Sequence, residues 1–356
     1  MEKLAIDGGK PVRIRPLPPP FRGSMLFGVE EIEAVSKVLA ARSPFRYYGP
    51  DMQYAVRALE DMMARDLNVP YVLGISSCTA GLIIALKALG IGYGDKVIVP
   101  SNTFIATAGA VVCSNAVPVF VDMDESLNLN PDDLERVYDD QVKAIIAVHI
   151  NGSACDMDKI MAFARKRNIY VIEDVAQSLG TTYKGKYCGT IGDIGVFSFQ
   201  MNKMLTAGEG GAVVTSNPEL FERAVRYHDQ GYFRDKDRYG IDPKYIMAGQ
   251  NYRMSELTGA VMIEQWKKLG TIVGNMRKHH RNIRAAIAAE LPDVKFRAAA
   301  DDDGDIGCVL GIVHPTQERA REFCDAMKAE NVSAHLMYDG VPVYMIPCFL
   351  EQRTAD

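Results

Sequence analysis

Nowhere in the chain does an uninterrupted apolar run reach the ~18 residues that a membrane-spanning helix needs. The first ten residues contain no apolar segment of the secretory kind, so a soluble cytoplasmic protein is expected. Basic residues do not accumulate either: 40 Lys and Arg face 45 Asp and Glu, for a formal net charge of -5. Without a basic face to neutralise phosphates, nucleic acid is not an expected partner. The nearest thing to a cluster, Arg277, Lys278, His279, His280 and Arg281, lies within a helical pattern and reads as a solvated helix face. The seven cysteines are scattered, odd in number and contain no C-x-x-C pair, which argues for a reducing compartment and against a zinc site or a disulfide framework. The six histidines show no metal-ligand spacing, and no metal is expected. His228 alone, just before a long polar stretch, is a candidate for a substrate or structural role.

What is present is an ordinary globular composition, 48% hydrophobic and 24% charged over 356 residues, enough for about two domains. The Pro-rich residues 1–27 read as a surface arm that could reach a partner subunit. Helical spacing follows at 30–41 and 52–66. Strand-like apolar runs then appear at 71–76, 96–99, 117–121, 144–149, 169–173, 195–198 and 212–215. Helical patterns at 79–89, 104–114, 131–137 and 157–167 separate most of them. Strands apolar along their whole length, alternating with helices, predict a mostly parallel sheet covered on both faces, with its site at the carboxyl ends of the strands.

Beyond it the pattern predicts a helix at 218–227, a polar stretch at 229–244, and one long helix over 254–290 bridging to a second domain with a strand at 307–313 and a helix at 316–330. The expected fold is α/β, a mostly parallel central sheet flanked by helices with a smaller C-terminal α/β domain. Its divisions are an arm at 1–27, a large domain at 28–252, and a bridging helix with the small domain at 253–356.

Four predicted strand ends would share one rim: Ser76-Ser77-Cys78-Thr79, Asn102-Thr103-Phe104, Glu173-Asp174-Val175-Ala176-Gln177, and Phe197-Ser198-Phe199-Gln200-Met201-Asn202-Lys203. They bring together hydroxyls, an aromatic, a carboxylate and an amine. Pyridoxal phosphate asks for that set: a carboxylate opposite the ring nitrogen, a lysine for the aldehyde, and neutral donors at a helix start for the phosphate. Asp174, Lys203 and Ser77-Cys78-Thr79 supply the three parts. Singly, each has an ordinary explanation: a solvated lysine in a turn, a helix-capping Asp174, a core Phe104, a buried Ser198 hydroxyl, a turn Asn251. Joint occurrence on neighbouring strand ends favours the cofactor. Gly90-Ile91-Gly92-Tyr93-Gly94 lacks the spacing of a dinucleotide fingerprint and reads as a helix stop and turn.

At these residues the chain resembles the DegT/DnrJ/StrS family of sugar aminotransferases, fold-type-I pyridoxal-phosphate enzymes, over nearly its whole length. The landmarks are Tyr48-Gly49-Pro50, the phosphate turn at 77–80, Val99-Pro100 with Thr103-Phe104-Ile105-Ala106-Thr107, Asp156-Met157-Asp158, Glu173-Asp174 with Ala176-Gln177, the Lys203 segment, and Gly249-Gln250-Asn251-Tyr252-Arg253-Met254. The resemblance implies a Schiff base on Lys203, Asp174 paired with the pyridine nitrogen, Gln177 near the ring hydroxyl and Phe104 stacked on the ring. It further implies that Cys78, Thr79 and Ser198 hold the phosphate, and that Asn251 reaches in from the other subunit of a homodimer with shared sites. The implied reaction moves an amino group from L-glutamate or L-glutamine to a keto sugar or keto cyclitol.

Two branches are equally resembled: the scyllo-inosose and aminohydroxybenzoate branch through Gly8-Gly9-Lys10-Pro11, and the amino-octulosonate branch through Phe45-Arg46-Tyr47. Lysine at 203, where dehydratase relatives carry histidine, disfavours that chemistry. A catalytically silent homologue that binds cofactor or sugar, or another fold-type-I enzyme, is the alternative. Cys78 replaces the family's usual glycine. The chain also ends earlier than most relatives, so the small domain is expected to lack its last elements.

Overall fold

The computed structural model describes residues 3–354 apart from 233 and 235–242. In chain order the helices and strands of the large layer are α1 (Val29–Ala40), α2 (Ala55–Leu67), β1 (Tyr71–Ile75), α3 (Cys78–Ala88), β2 (Lys96–Pro100), α4 (Ile105–Cys113), β3 (Val117–Val121), α5 (Leu134–Val137), β4 (Val142–Val148), α6 (Met157–Arg167), β5 (Tyr170–Asp174), the two-residue strands β6 (Thr182–Tyr183) and β7 (Lys186–Tyr187), β8 (Ile194–Ser198), β9 (Gly211–Thr215) and α7 (Pro218–His228). Then come α8 (Glu256–Lys267), α9 (Leu269–Glu290), β10 (Lys295–Phe296), β11 (Ile312–Val313), α10 (Gln317–Ala329) and α11 (Pro347–Leu350).

Seven strands form one sheet in the order β1-β9-β8-β5-β4-β2-β3. All pairs are parallel except those of β9, which runs antiparallel to both β1 and β8. Alternate residues of each strand feed two buried clusters, one on either face. Val97, Val99, Ile146, Val196 and Val213 pack with Leu82 and Leu86 of α3, Val111 of α4 and Phe221 of α7. Ile98, Ile145, Val171, Phe197 and Val214 pack on the opposite face with Leu59 and Met63 of α2, Ile160 of α6 and Trp266 of α8. Each fully buried side chain of that size contributes about 1.5–3 kcal/mol, so both faces drive the alternation read in the sequence. Because β1, β2, β4, β5 and β8 run the same way, their carboxyl ends meet at one rim, where β9 begins: Gly211 pairs with both Ile75 and Ser198.

The helix expected over 254–290 is two helices. Lys268 closes α8 with a tightened bond from its N–H to the Gln265 carbonyl and opens α9. The break sits where α8 is pinned to the large layer, by Trp266 Nε1 on Asp66 Oδ2 at 2.9 Å and Lys268 Nζ on Glu31 Oε1 at 2.6 Å. The strand expected at 307–313 shortens to Ile312–Val313, paired with β10. The polar stretch at 229–244 lies mostly outside the described residues. The arm is held on the chain's own α10 end: both carboxylate oxygens of Glu330 accept amides, from Ala5 at 2.8 Å and Val12 at 2.7 Å. No helix among the described residues is long and apolar enough to cross a membrane.

Candidate active site

Asp174 is the last residue of β5, 4% exposed, and its carboxylate faces the start of α3 and the side of α4. Ala176 N–H donates to its Oδ1 at 3.0 Å, Thr107 Oγ1 to its Oδ2 at 3.3 Å, and the Cys78 thiol approaches Oδ1 at 3.8 Å. Burial pushes the carboxyl above its ordinary range, against the pull of the Ala176 amide, the Lys203 ammonium and Thr107. A buried carboxylate held above its usual range gains from a cationic partner. Burial and the Asp174 charge likewise hold the Cys78 thiol well above its ordinary range, so it is an S–H donor.

Lys203 lies in the turn after β8, fixed by its N–H on the Gln200 carbonyl at 2.9 Å. Its ammonium acts on both Asp174 and Cys78, yet it has no ion pair among the described residues. The amine therefore lies within electrostatic reach of the acid and of the start of α3.

The start of α3 faces the same place. Ser77 is its N-cap and accepts the Ala80 N–H at 3.1 Å, which leaves the first amides, of Cys78 and Thr79, without a helical partner. These amides and the helix dipole make an anion cradle. Gly211 permits the approach: a Cβ there would meet the Phe197 carbonyl oxygen at 2.6 Å and the Cys78 nitrogen at 2.9 Å. Ser198, paired across from Gly211 and 6% exposed, ends β8 beside that cradle. Phe104, the residue before α4, is 58% exposed, a large ring left uncovered at the rim. A ring platform, an acid seeking a cation, an unpaired amine and an anion cradle fit pyridoxal phosphate.

Gln177, three residues beyond Asp174, accepts the Asn151 N–H on Oε1 at 3.2 Å and donates from Nε2 to the Tyr338 hydroxyl at 2.7 Å. Asn251 makes no hydrogen bond to these groups among the described residues: it is exposed, bridged to Asp229, on a segment that runs along the end of β1 through Ser76 and Ile75. His228 is wholly buried; its Nδ1–H donates to the Val225 carbonyl and its Nε2 accepts from the Tyr47 hydroxyl at 3.1 Å. Burial first, then the Arg46 charge, keeps the ring neutral, its pKa well below the ordinary value. Both nitrogens serve the fold.

Beneath the rim, His149, Glu173 and Cys188 converge with ligand atoms within 4.8 Å of one another, all buried. His149 Nδ1 accepts the Cys155 N–H at 3.1 Å and Nε2 faces Glu173 Oε2 at 2.9 Å. Glu173 also accepts the amides of Gly189, Ile191 and Gly192 at 2.8, 2.7 and 2.6 Å. Burial would raise its carboxyl, but His149 and those amides outweigh it and hold the carboxyl below its usual range. The pair braces the strand end that carries Asp174.

Two site residues escaped the sequence reading. The spacing of Thr107 from Thr103, one helical turn, brings the two hydroxyls to 3.0 Å and aims Thr107 at Asp174. Tyr338 comes from the far C-terminal segment and carried no signal. Its backbone is left-handed (φ 47°), as are Asp339 (φ 54°) and Gly340 (φ 71°). Left-handed backbone costs roughly 1–2 kcal/mol at each of the two side-chain-bearing positions. Met337 beside it receives amide hydrogens from Asn102 and Asn151 on its sulfur at 3.6 and 3.5 Å, and Val343 N–H bonds the Ser101 carbonyl at 2.8 Å.

Residues 28–356 match the model of the DegT/DnrJ/EryC1/StrS aminotransferase family. The chain is 37% identical over 302 residues to a GDP-perosamine synthase of Escherichia coli O157:H7, covering 83% of this chain and 79% of that protein. It is 34% identical over 316 residues to an L-glutamine:2-deoxy-scyllo-inosose aminotransferase of Streptomyces kanamyceticus, covering 85% and 70%. Among solved structures, NtdA from Bacillus subtilis with bound cofactor PMP superposes with a TM-score of 0.79 at 26% identity, covering 97% of this chain and 77% of that one.

Proposed function

Because the chain belongs to the DegT/DnrJ/EryC1/StrS aminotransferase family, we propose that it transfers an amino group from L-glutamate or L-glutamine to a keto sugar or keto cyclitol, with pyridoxal phosphate carried on Lys203. The observation that carries this reading is that the Lys203 charge reaches both the buried Asp174 carboxyl and the Cys78 thiol at the start of α3. The names of relatives support the acceptor class: one is a GDP-perosamine synthase, another takes its nitrogen from L-glutamine and acts on a deoxy-scyllo-inosose.

Bound at this rim, the cofactor supplies an electron sink for the pair left when a proton leaves the donor's α-carbon. The protein does the rest. Asp174 keeps a proton on the ring nitrogen, and its own elevated carboxyl is relieved by that positive charge. The Lys203 amine would take the proton from the donor's α-carbon and deliver it across the nitrogen to the cofactor's aldehyde carbon, acting as base and then as acid. Cys78 and Thr79 amides with the Ser198 hydroxyl hold the phosphate, and Phe104 covers one ring face. Gln177 gives a hydrogen bond to the ring hydroxyl. Asn251, exposed on its edge segment, serves the site of a second copy in a cytoplasmic homodimer that acts on small molecules.

The test is an absorbance scan of the protein loaded with pyridoxal phosphate, wild type beside Lys203→Ala, with L-glutamate and L-glutamine added separately. One donor should convert the visible band of the wild type to the near-ultraviolet band of the aminated cofactor, and Lys203→Ala should show neither band shift nor turnover. A spectrum untouched by both amino acids would overturn the donor assignment. A panel of keto sugars and keto cyclitols against the aminated protein then identifies the acceptor.

A further inference from the structure

The side-chain amide of Gln177 has only one orientation compatible with its neighbours. A backbone N–H can only donate, so the atom facing Asn151 N at 3.2 Å must be the carbonyl Oε1. Nε2 then faces the Tyr338 hydroxyl at 2.7 Å, and the phenol oxygen is the acceptor. Two consequences follow. Of the two Nε2 protons of Gln177, one is used by Tyr338 and the other has no partner among the described residues. The Tyr338 hydroxyl, in turn, keeps its own proton: burial, with the Asp174 charge adding to it, pushes this phenol up to about 12, so it stays neutral throughout the working range.

Tyr338 does not reach Gln177 by accident of a loose tail. Its segment is anchored on both sides, by Met337 between the Asn102 and Asn151 amides and by Val343, 1% exposed, through its N–H on Ser101. Those contacts fall at the ends of β2, β4 and β5, the rim that carries Asp174. Arg321 Nη2 from α10 also bonds the Asp339 carbonyl at 3.3 Å and steadies the left-handed turn.

We propose that Tyr338 is a positioning residue for the cofactor: it locks the Gln177 carboxamide so that the second Nε2 proton is presented to the cofactor's ring oxygen, and the C-terminal segment thereby sets the acidity of the lysine-linked nitrogen. This rests on the pyridoxal-phosphate reading given above. A hydrogen bond donated to the ring oxygen stabilises its negative charge and so favours loss of the proton that this oxygen shares with the linked nitrogen. Without Tyr338 the amide is held at one end only, the donated bond weakens, and that proton is held more tightly.

The test uses full-length protein loaded with pyridoxal phosphate, as wild type, Tyr338→Phe, Gln177→Leu and the double variant, each followed through the pH titration of its visible band. Tyr338→Phe should raise the titration midpoint by about half to one pH unit, the range that one neutral hydrogen bond carries. Gln177→Leu should raise it at least as far, and the double variant should match Gln177→Leu alone. Tyr338→Asn, whose short side chain tolerates left-handed backbone, should repeat the rise if Tyr338→Phe does not fold. A visible band with an unmoved midpoint in a folded Tyr338 variant overturns the proposal, as does a double variant whose shift is the sum of the two. A wild type that takes up no pyridoxal phosphate and shows no band overturns the cofactor reading itself, a different result from either of these.

Discussion

The seven-stranded sheet and the chain from Lys295 onward are built to different standards. In the sheet, β8 and β9 are buried at every residue, and Phe197 of β8 and Phe199 just past it are fully buried. Past Lys295, α10 buries none of its residues, β10 and β11 have two residues each, and Ile306 and Val343 are the hydrophobic side chains fully buried among those described. Yet each region delivers a side chain to the same rim. The sheet fixes Asp174 through packing that admits no slack. The C-terminal part fixes Tyr338 through a handful of polar contacts to Ser101, Asn102, Asn151 and Gln177. Rigid burial sets the charge state of Asp174, and a segment held by polar contacts orients Gln177 at the same rim.

Four substitutions sharpen that contrast. Phe197→Ala empties a fully buried site in β8 and should cost about 3–5 kcal/mol in denaturant unfolding, whereas Phe323→Ala on half-buried α10 should cost less than half as much. Equal costs would show that the two regions are packed alike. Glu173→Gln comes next, at roughly 3 kcal/mol, because an amide offers one acceptor oxygen where three backbone amides and His149 converge. The sign of its pH dependence follows from the lowered carboxyl: the stabilisation is complete above the unfolded glutamate value near ~4.3 and is lost as pH falls through the folded value. Acid melting curves should therefore fall more steeply for the wild type than for Glu173→Gln. The smallest effect is Asp174→Asn, which removes a carboxyl that burial holds above its ordinary range. Cofactor-free protein should gain up to ~1 kcal/mol in a thermal melt, and cofactor-loaded protein should lose both that gain and its turnover. A loss of stability in the cofactor-free form would show that Asp174 is satisfied without a cation.

Much of the sheet was legible because each strand is a short apolar run and all but the edge strand β3 are buried along most of their length, so burial wrote the pattern that the eye finds. The direction of β9 was not, since Ala212-Val213-Val214 reads the same in either sense. The site was legible where chemistry and position coincide, at Asp174, Lys203 and the start of α3. The break at Lys268 was hidden because helical periodicity runs on through it, while contacts from Asp66 and Glu31, some two hundred residues away, decide it. Tyr338 was hidden for the same reason: its left-handed backbone and its partner Gln177 are tertiary facts, and a single tyrosine in an irregular segment announces neither.

Gly211 carries a practical corollary for anyone who wishes to retarget the enzyme. The hydrogen that stands in for a side chain there lets the start of α3 lie flush against β9, and no other amino acid leaves that gap open. Libraries aimed at new acceptors should leave this position untouched.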